Sequence, residues 1–238
     1  MYFVFKSFYG RIITMTITNW RDLEKTPHYL RDDFEAYSMP FIVRVEKDKV
    51  PSHEEVIDAS VKAFIAFLDD ERASSGIWSA VTSEWLKGRI RKVSRRARGA
   101  AWDKAVALGG IVASSGNAEV LVLPPHPVDA IPAEIKKLQV SGLDLEKTDS
   151  LIKHDTGLMI SLNPDVTIST GKTVAQVCHA VQVAVMNADV STLENWKAND
   201  FLVSFVAWDS DLAWSAEIQD AGFTEIAPGT VTAKAAFL

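Results

Sequence analysis

Lys172, Gln176 and His179 fall in the stretch TISTGKTVAQVCHA, residues 167–180. At about 100° per residue they lie within about 60° of one another on a helix, opposite Val174, Val177, Val181 and Val185. The valines form a core face. An ammonium, an amide and an imidazole in one exposed line can hold an anion, orient a polar group and move a proton. The same line also fits an ordinary solvated helix face, although such a face is normally rich in Glu, Lys and Arg, and here alanines flank the polar trio. About fifty residues further on, DAGFTEIAPGTVT (220–232) sets Asp220, Thr224, Thr230 and Thr232 at loop edges. A carboxylate among hydroxyls suits general-base work, while threonine near a strand also reflects β-propensity alone.

The GKT at 171–173 suggests a phosphate-binding loop, and the preceding residues exclude one. That loop reads G-x-x-x-x-G-K-[ST], because glycines let the backbone N–H groups approach phosphate. Val166 stands where the first glycine is needed, and no glycine lies between Gly157 and Gly171. Metal ligation has little footing either. His28, His53, His126, His154 and His179 include no pair with ligand spacing on one element. Cys178 lies between the valine face and the polar line and reads as packing, not as a nucleophile. No metal and no cofactor are expected.

Charge is unevenly spread. Residues 151–238 hold four lysines, no arginine and ten acids, which accounts for the whole net charge of −6. Residues 1–150 balance 21 basic against 21 acidic residues. Within them KGRIRKVSRRAR (87–98) has seven bases in twelve residues and no acid. Such a run is a solvated face or a polyanion contact, and its density beside an acidic half points to phosphate.

The chain must carry elements that position these groups. At 47% apolar and 24% charged residues it buries a proper core. A single cysteine excludes an internal disulfide and fits a reducing compartment, so a cytoplasmic location is expected. No apolar run approaches the roughly 18 residues of a membrane span. The opening MYFVFKSFYGRIITM makes a poor signal peptide, interrupted by Lys6 and Arg11 and followed by no A-x-A site. Residues 1–38 read as an upstream extension or a loosely docked arm, with Met15 and Met39 as later candidate starts. Strands are expected at 41–47, 118–125, 157–162, 201–208 and 229–237. Helices are expected at 53–71, with Ser52 as N-cap, from about Gly171, and around 210–220, ended by Gly222. Pro228-Gly229 predicts a turn, SGLDLEKTDS (141–150) a polar linker, and HPVD (126–129) a loop.

Two offsets align the chain with itself. A shift of 112 places residues 100–123 on 212–235 without a gap, matching Trp102 with Trp214 and Gly110 with Gly222. A shift of 118 places FIVRVEKD on MISLNPDV, and EEVIDASVKAFIAFL on KTVAQVCHAVQVAVM. The chain therefore reads as two β-α-α-β-α-β-β units, 39–125 and 157–238, joined by a linker at 126–156. In this register the basic run becomes a strand. Arg89, Arg91, Val93 and Arg95 share one face; Ile90, Lys92, Ser94 and Arg96 share the other. With charge on both faces, at least one must meet solvent or a polyanion.

GKTVAQVCHA and DAGFTEIAPGTVT together resemble the two signature segments of the type 2 (archaeal and eukaryotic type) peptidyl-tRNA hydrolases. The family pattern is GK-x-x-AQ-x-x-HA followed by DAG-x-T-x-I-x-PGT-x-T, and every fixed position is matched. The resemblance covers 157–238, and reaches 39–125 only through the repeat. It implies cofactor-free hydrolysis of the ester between a peptide and the 3′ end of tRNA, on a small mixed sheet with helices on both faces. It also implies Lys172, Asp220 and Thr224 as catalytic residues, with Gly171, Gln176, His179, Gly229, Thr230 and Thr232 lining the site. The family usually carries an arginine where Asn163 stands, with Asp165 kept, and a basic residue where Phe223 stands. The first repeat carries Glu54, Asp58 and Val61 in place of Lys172, Gln176 and His179, and reads as catalytically dead.

The expectation is an α/β protein of two tandem three-layer α/β/α units, each a small mixed four-stranded sheet with helices on both faces. The second unit would hold the chemistry. The first would offer Arg89, Arg91, Lys92, Arg95, Arg96 and Arg98 to the tRNA backbone. The partner expected is peptidyl-tRNA, with no membrane, and a monomer whose two repeats pack as a pseudo-dimer. The alternative is a non-catalytic tRNA- or ribosome-binding protein that retains the fold.

Overall fold

The structure, a computed structural model, describes residues 3–6, 12–15, 36–87, 90–148, 154–209, 211–220 and 226–238. An antiparallel pair, β1 (Phe3–Lys6) and β2 (Ile12–Met15), precedes two larger sheets. The N-terminal unit contains β3 (Tyr37–Arg44), α1 (His53–Asp69), α2 (Glu71–Ser74), α3 (Ser79–Lys87), β4 (Arg91–Ala97), α4 (Ala100–Val106), β5 (Ile111–Ser115) and β6 (Ala118–Val122). Two short elements follow, β7 (His126–Pro127) and α5 (Ala133–Lys136). The C-terminal unit contains β8 (Leu158–Leu162), α6 (Thr170–Asn187), α7 (Val190–Ala198), β9 (Val203–Phe205), β10 (Ala216–Gln219) and β11 (Val231–Phe237).

Both units build one topology. The first sheet runs β4-β3-β6-β5 and the second β9-β8-β11-β10. In each, the first strand pairs parallel with the strand after the helices and antiparallel with the last strand, which closes a hairpin. The protein is thus mixed α/β in two tandem units, as the internal repeat predicts. A tryptophan pair that the repeat alignment passed over reinforces this. Trp85 Nε1 donates to the Arg91 carbonyl at 3.0 Å, and Trp196 Nε1 to the Leu202 carbonyl at 2.8 Å. Each buried ring latches its helix to the approach of the parallel strand.

Helix α1 begins at a complete capping box. Glu55 N donates to Ser52 Oγ, and Ser52 N donates to the Glu55 carboxylate. Strand β3 serves two cores by alternation. Met39, Phe41 and Val43 face α1, while Ile42 packs with Trp102, Ala105, Leu121, Leu123 and Ile135 beneath α4 and α5.

Three expectations need correction. Among the described residues no helix forms over 211–220; Ala216–Gln219 is a strand, because its apolar residues alternate with Glu217 and Gln219 and pair with β11. Gly222, expected to end that helix, lies outside the described residues. The gapless shift of 112 consequently fails at β5, whose counterpart β10 sits earlier in the chain. The N-terminal hairpin turns through Gly116 and Asn117 alone, whereas residues 220–230 connect β10 to β11. Third, residues 126–129 are not a plain loop, since His126 and Pro127 pair with Ser38 and Tyr37 on β3.

The units share one core. Helix α6 packs along α1 and against β4 of the other unit. Phe41, Val61 and Phe64 join Val174, Val177 and Val181 in a single cluster. The linker fastens both helix starts. Glu146 O accepts from His53 N at 2.8 Å, and Leu143 O from Gly171 N at 3.2 Å. Thr148 donates through N and Oγ1 to Glu54 at 2.9 Å each, and Leu145 N donates to Thr170 Oγ1 at 3.0 Å. The first two satisfy first-turn N–H groups that a helix leaves unpaired, and the others tie the linker to first-turn side chains. Among the described residues no helix is long and apolar enough to cross a membrane.

Candidate active site

Helix α6 starts at Ser169, whose hydroxyl accepts from Lys172 N at 3.4 Å. Val174, Val177, Val181 and Val185 are buried, as their spacing requires. The polar line is not the exposed stripe expected of it. Gln176 is buried, and Lys172 and His179 are half-buried, because α6 is enclosed by its own sheet, α1 and β4.

Lys172 Nζ forms an ion pair with Asp220 Oδ2, at the end of β10; their side chains are 13% and 2% exposed. Gln176 Nε2 donates to the same Oδ2 at 3.2 Å. Thr232 Oγ1 is a shared donor, 3.0 Å from Gln176 Oε1 and 3.1 Å from Ile218 O. The amide orientation of Gln176 follows, with its nitrogen toward the carboxylate and its oxygen toward the hydroxyl. One chain of contacts, Lys172–Asp220–Gln176–Thr232, therefore joins both motif segments.

A β-bulge brings Thr232 into that chain. Ile218 pairs with Ala233 and Gln219 with Val231, so Thr232 is the extra residue. Asn163 braces the bulge. Its Nδ2 donates to Val231 O at 2.7 Å and its backbone N to Thr232 O at 3.1 Å. The sequence marks Asn163 only as a missing arginine; the bulge that gives it a task adds a single residue and leaves no motif.

Asp220 is also held by its backbone. Its N donates to Thr230 O and its O accepts from Gly229 N, both at 2.9 Å. Pro228 and Gly229 form the expected turn, closed by Thr230 N to Ala227 O at 3.2 Å, with Gly229 at φ +83°. The Thr230 hydroxyl donates to Ala227 O at 2.8 Å, so it serves the turn rather than Asp220. Thr224 lies outside the described residues.

Gly171 is placed by packing. Its N–H meets Leu143 O, and its carbonyl accepts from Ser94 Oγ at 2.8 Å. A Cβ there would stand 3.4 Å from Ser94 Cβ and 3.6 Å from Leu143 Cβ. Its surroundings are thus β4 of the other unit and the linker. Cys178 is a core thiol, pushed up to about 12 by burial, and stays neutral.

The basic run is a strand, as expected, but three of its six candidate bases are occupied. Lys92 is buried and donates to Gln182 Oε1 at 2.6 Å, with His179 Nδ1 at 3.1 Å. It cannot meet a tRNA phosphate from there, because β4 turns this face to α6. Arg95 Nη1 donates to Leu138 O at 3.0 Å, and Arg96 bonds Gln139 Oε1 and Gly142 O. These two bind the segment that lies along the outer edge of β4. Arg91 and Arg98 are exposed. Arg89 lies outside the described residues. Among the described residues no three His, Cys, Asp or Glu side chains converge as metal ligands would.

A buried carboxylate, oriented by an amide and facing an ammonium that reaches solvent, can position a water and stabilise a developing oxyanion. No protein-family model matches the chain, so the resemblance rests on the two motif segments and on the meeting of their residues in space.

Proposed function

We propose that the C-terminal unit is a peptidyl-tRNA hydrolase, cleaving the ester between a peptide or N-blocked amino acid and the 3′ end of tRNA. The observation that carries this reading is the Lys172–Asp220–Gln176–Thr232 chain, which unites four fixed positions from two separate motif segments. Asp220 orients and deprotonates the attacking water. Lys172 attracts the 3′-terminal phosphate or the oxyanion. In the resting form the two neutralise one another, and an incoming anion that draws Lys172 away exposes the carboxylate to water. Exposed Arg91 and Arg98 supply contacts to the tRNA backbone, and cytoplasmic peptidyl-tRNA is the substrate.

The test is release of N-acetyl amino acid from N-acetyl-aminoacyl-tRNA by the purified full chain. Lys172→Ala and Asp220→Asn are each expected to lower turnover roughly 100- to 1,000-fold. Full activity in Asp220→Asn would remove the base assignment. A second reading, a tRNA- or ribosome-binding protein without turnover, is favoured by the closed Lys172–Asp220 pair. It predicts an inactive wild type that still binds tRNA in a salt-sensitive way.

A further inference from the structure

We infer that Lys92, contributed by the N-terminal unit, is a positioning residue for His179 on the motif helix, holding the imidazole in the tautomer that carries its proton on Nε2. The geometry needs both units. Lys92 leaves β4 toward α6 and reaches two acceptors one turn apart, His179 Nδ1 at 3.1 Å and Gln182 Oε1 at 2.6 Å. The amine sits in an aromatic box, 4.9 Å from the Phe64 ring of α1 and 5.0 Å from the Trp85 ring of α3. Two ring faces favour a cation between them. Among the described residues, the further titratable group acting on it is Cys178 on α6, a neutral thiol.

An ammonium has three N–H donors and no lone pair. Whatever faces it at hydrogen-bond distance must accept, so His179 Nδ1 cannot bear a proton while Lys92 is charged. A proton there would set two N–H donors against each other with no acceptor between them. Gln182 obeys the same constraint. It turns its oxygen to Lys92 and leaves Nε2 buried with no hydrogen-bond partner, the orientation that a pure donor imposes. Burial lowers Lys92 to about 7, and the neutral amine still has an N–H for each acceptor. The lock is thus strict below neutral pH and relaxes above it, where the new lone pair also accommodates the other tautomer.

His179 lies one turn beyond Gln176, so its tautomer decides whether it offers the site a donor or an acceptor. That catalytic bearing rests on the proposed hydrolase activity; the tautomer itself does not. The test is long-range 15N–1H NMR of the histidines in the full chain near pH 6.5, with His179 assigned by its loss in His179→Asn. The wild type is expected to show an unprotonated Nδ1. Lys92→Met, which keeps the volume without a donor, is expected to give mixed tautomers and to lower kcat about tenfold, with KM within about twofold. Lys92→Gln, which restores an N–H donor, is expected to recover the single tautomer and most of kcat. A protonated Nδ1 in the wild type overturns the inference, and so does an unchanged tautomer in Lys92→Met. Should Lys92→Met fail to fold, the wild-type spectrum alone decides. An inactive wild type with the expected tautomer would reject the hydrolase reading and leave the Lys92–His179 assignment standing.

Discussion

The two units share strand order, strand direction and the tryptophan latch, yet only the second joins Lys172, Asp220, Gln176 and Thr232 in one chain of contacts. For the site, the difference lies in two places. On the long helices, Glu54 and Asp58 stand where Lys172 and Gln176 stand. Glu54 holds the linker through Thr148, and Asp58 pairs with Lys62 at 2.6 Å. Between the last two strands, a tight turn at Gly116 and Asn117 is replaced by the longer connection that carries Asp220. The topology therefore specifies where a site can lie, and a stripe and a loop decide whether it is there. The N-terminal unit turns the same positions to fastening the chain.

The sharpest break of this comparison is at the latch. Trp85→Ala and Trp196→Ala are each expected to cost about 3–5 kcal/mol in urea unfolding, since each removes a buried ring and its N–H bond. Costs differing by more than about 2 kcal/mol would show that the latches are not equivalent. The next test concerns Lys92, the buried lysine that reaches from β4 to the helix of the other unit. Its folded value near 7 lies below that of the unfolded chain, so the unfolded state holds the extra proton between about pH 7 and 10.4. Stability is thus expected to rise by roughly 2 kcal/mol from pH 7 to 9 and to be lost again as pH falls through 7. Above about 9 the raised Cys178 value works in the opposite direction. Denaturant titrations at pH 7 and 9 should show the rise in the wild type and its absence in Lys92→Met. The smallest difference is at the helix starts. Ser52→Ala breaks a reciprocal box and is expected to cost about 1 kcal/mol, whereas Ser169→Ala removes a single long cap worth a few tenths. Equal shifts in Tm would erase that distinction.

Much of this was legible before any coordinates. Helix α1 announces itself by Ser52 and a regular apolar face. The repeat leads to β4 as a strand, against the helical look of its bases, and the two motif segments lead to Lys172, Gln176 and Asp220. What failed did so for physical reasons. Seven bases in twelve residues look alike, and only the packing of α6 on β4 separates buried Lys92 from exposed Arg91. A four-residue strand such as β10 carries too little periodicity to outweigh the neighbouring pattern at 212–214. Asn163 read as a lost charge because its work is on a backbone irregularity that no residue type records.

The single core that spans α1 and α6 has a consequence for how the halves can differ. When two separate copies of one chain pack about a twofold axis, every substitution appears twice, and a change that helps one face must be tolerated by the other. Here the two copies are one polypeptide, so the symmetry is only approximate and each side of the shared interface varies alone. Glu54 replaces a lysine on one side without touching Lys172 on the other. Lys92 reaches from β4 to His179 and Gln182 on α6, while Lys197 on α7 reaches back to Asp69 on α1, a different contact at a different place. Covalent joining has turned a self-complementary contact into one whose two sides carry different ties.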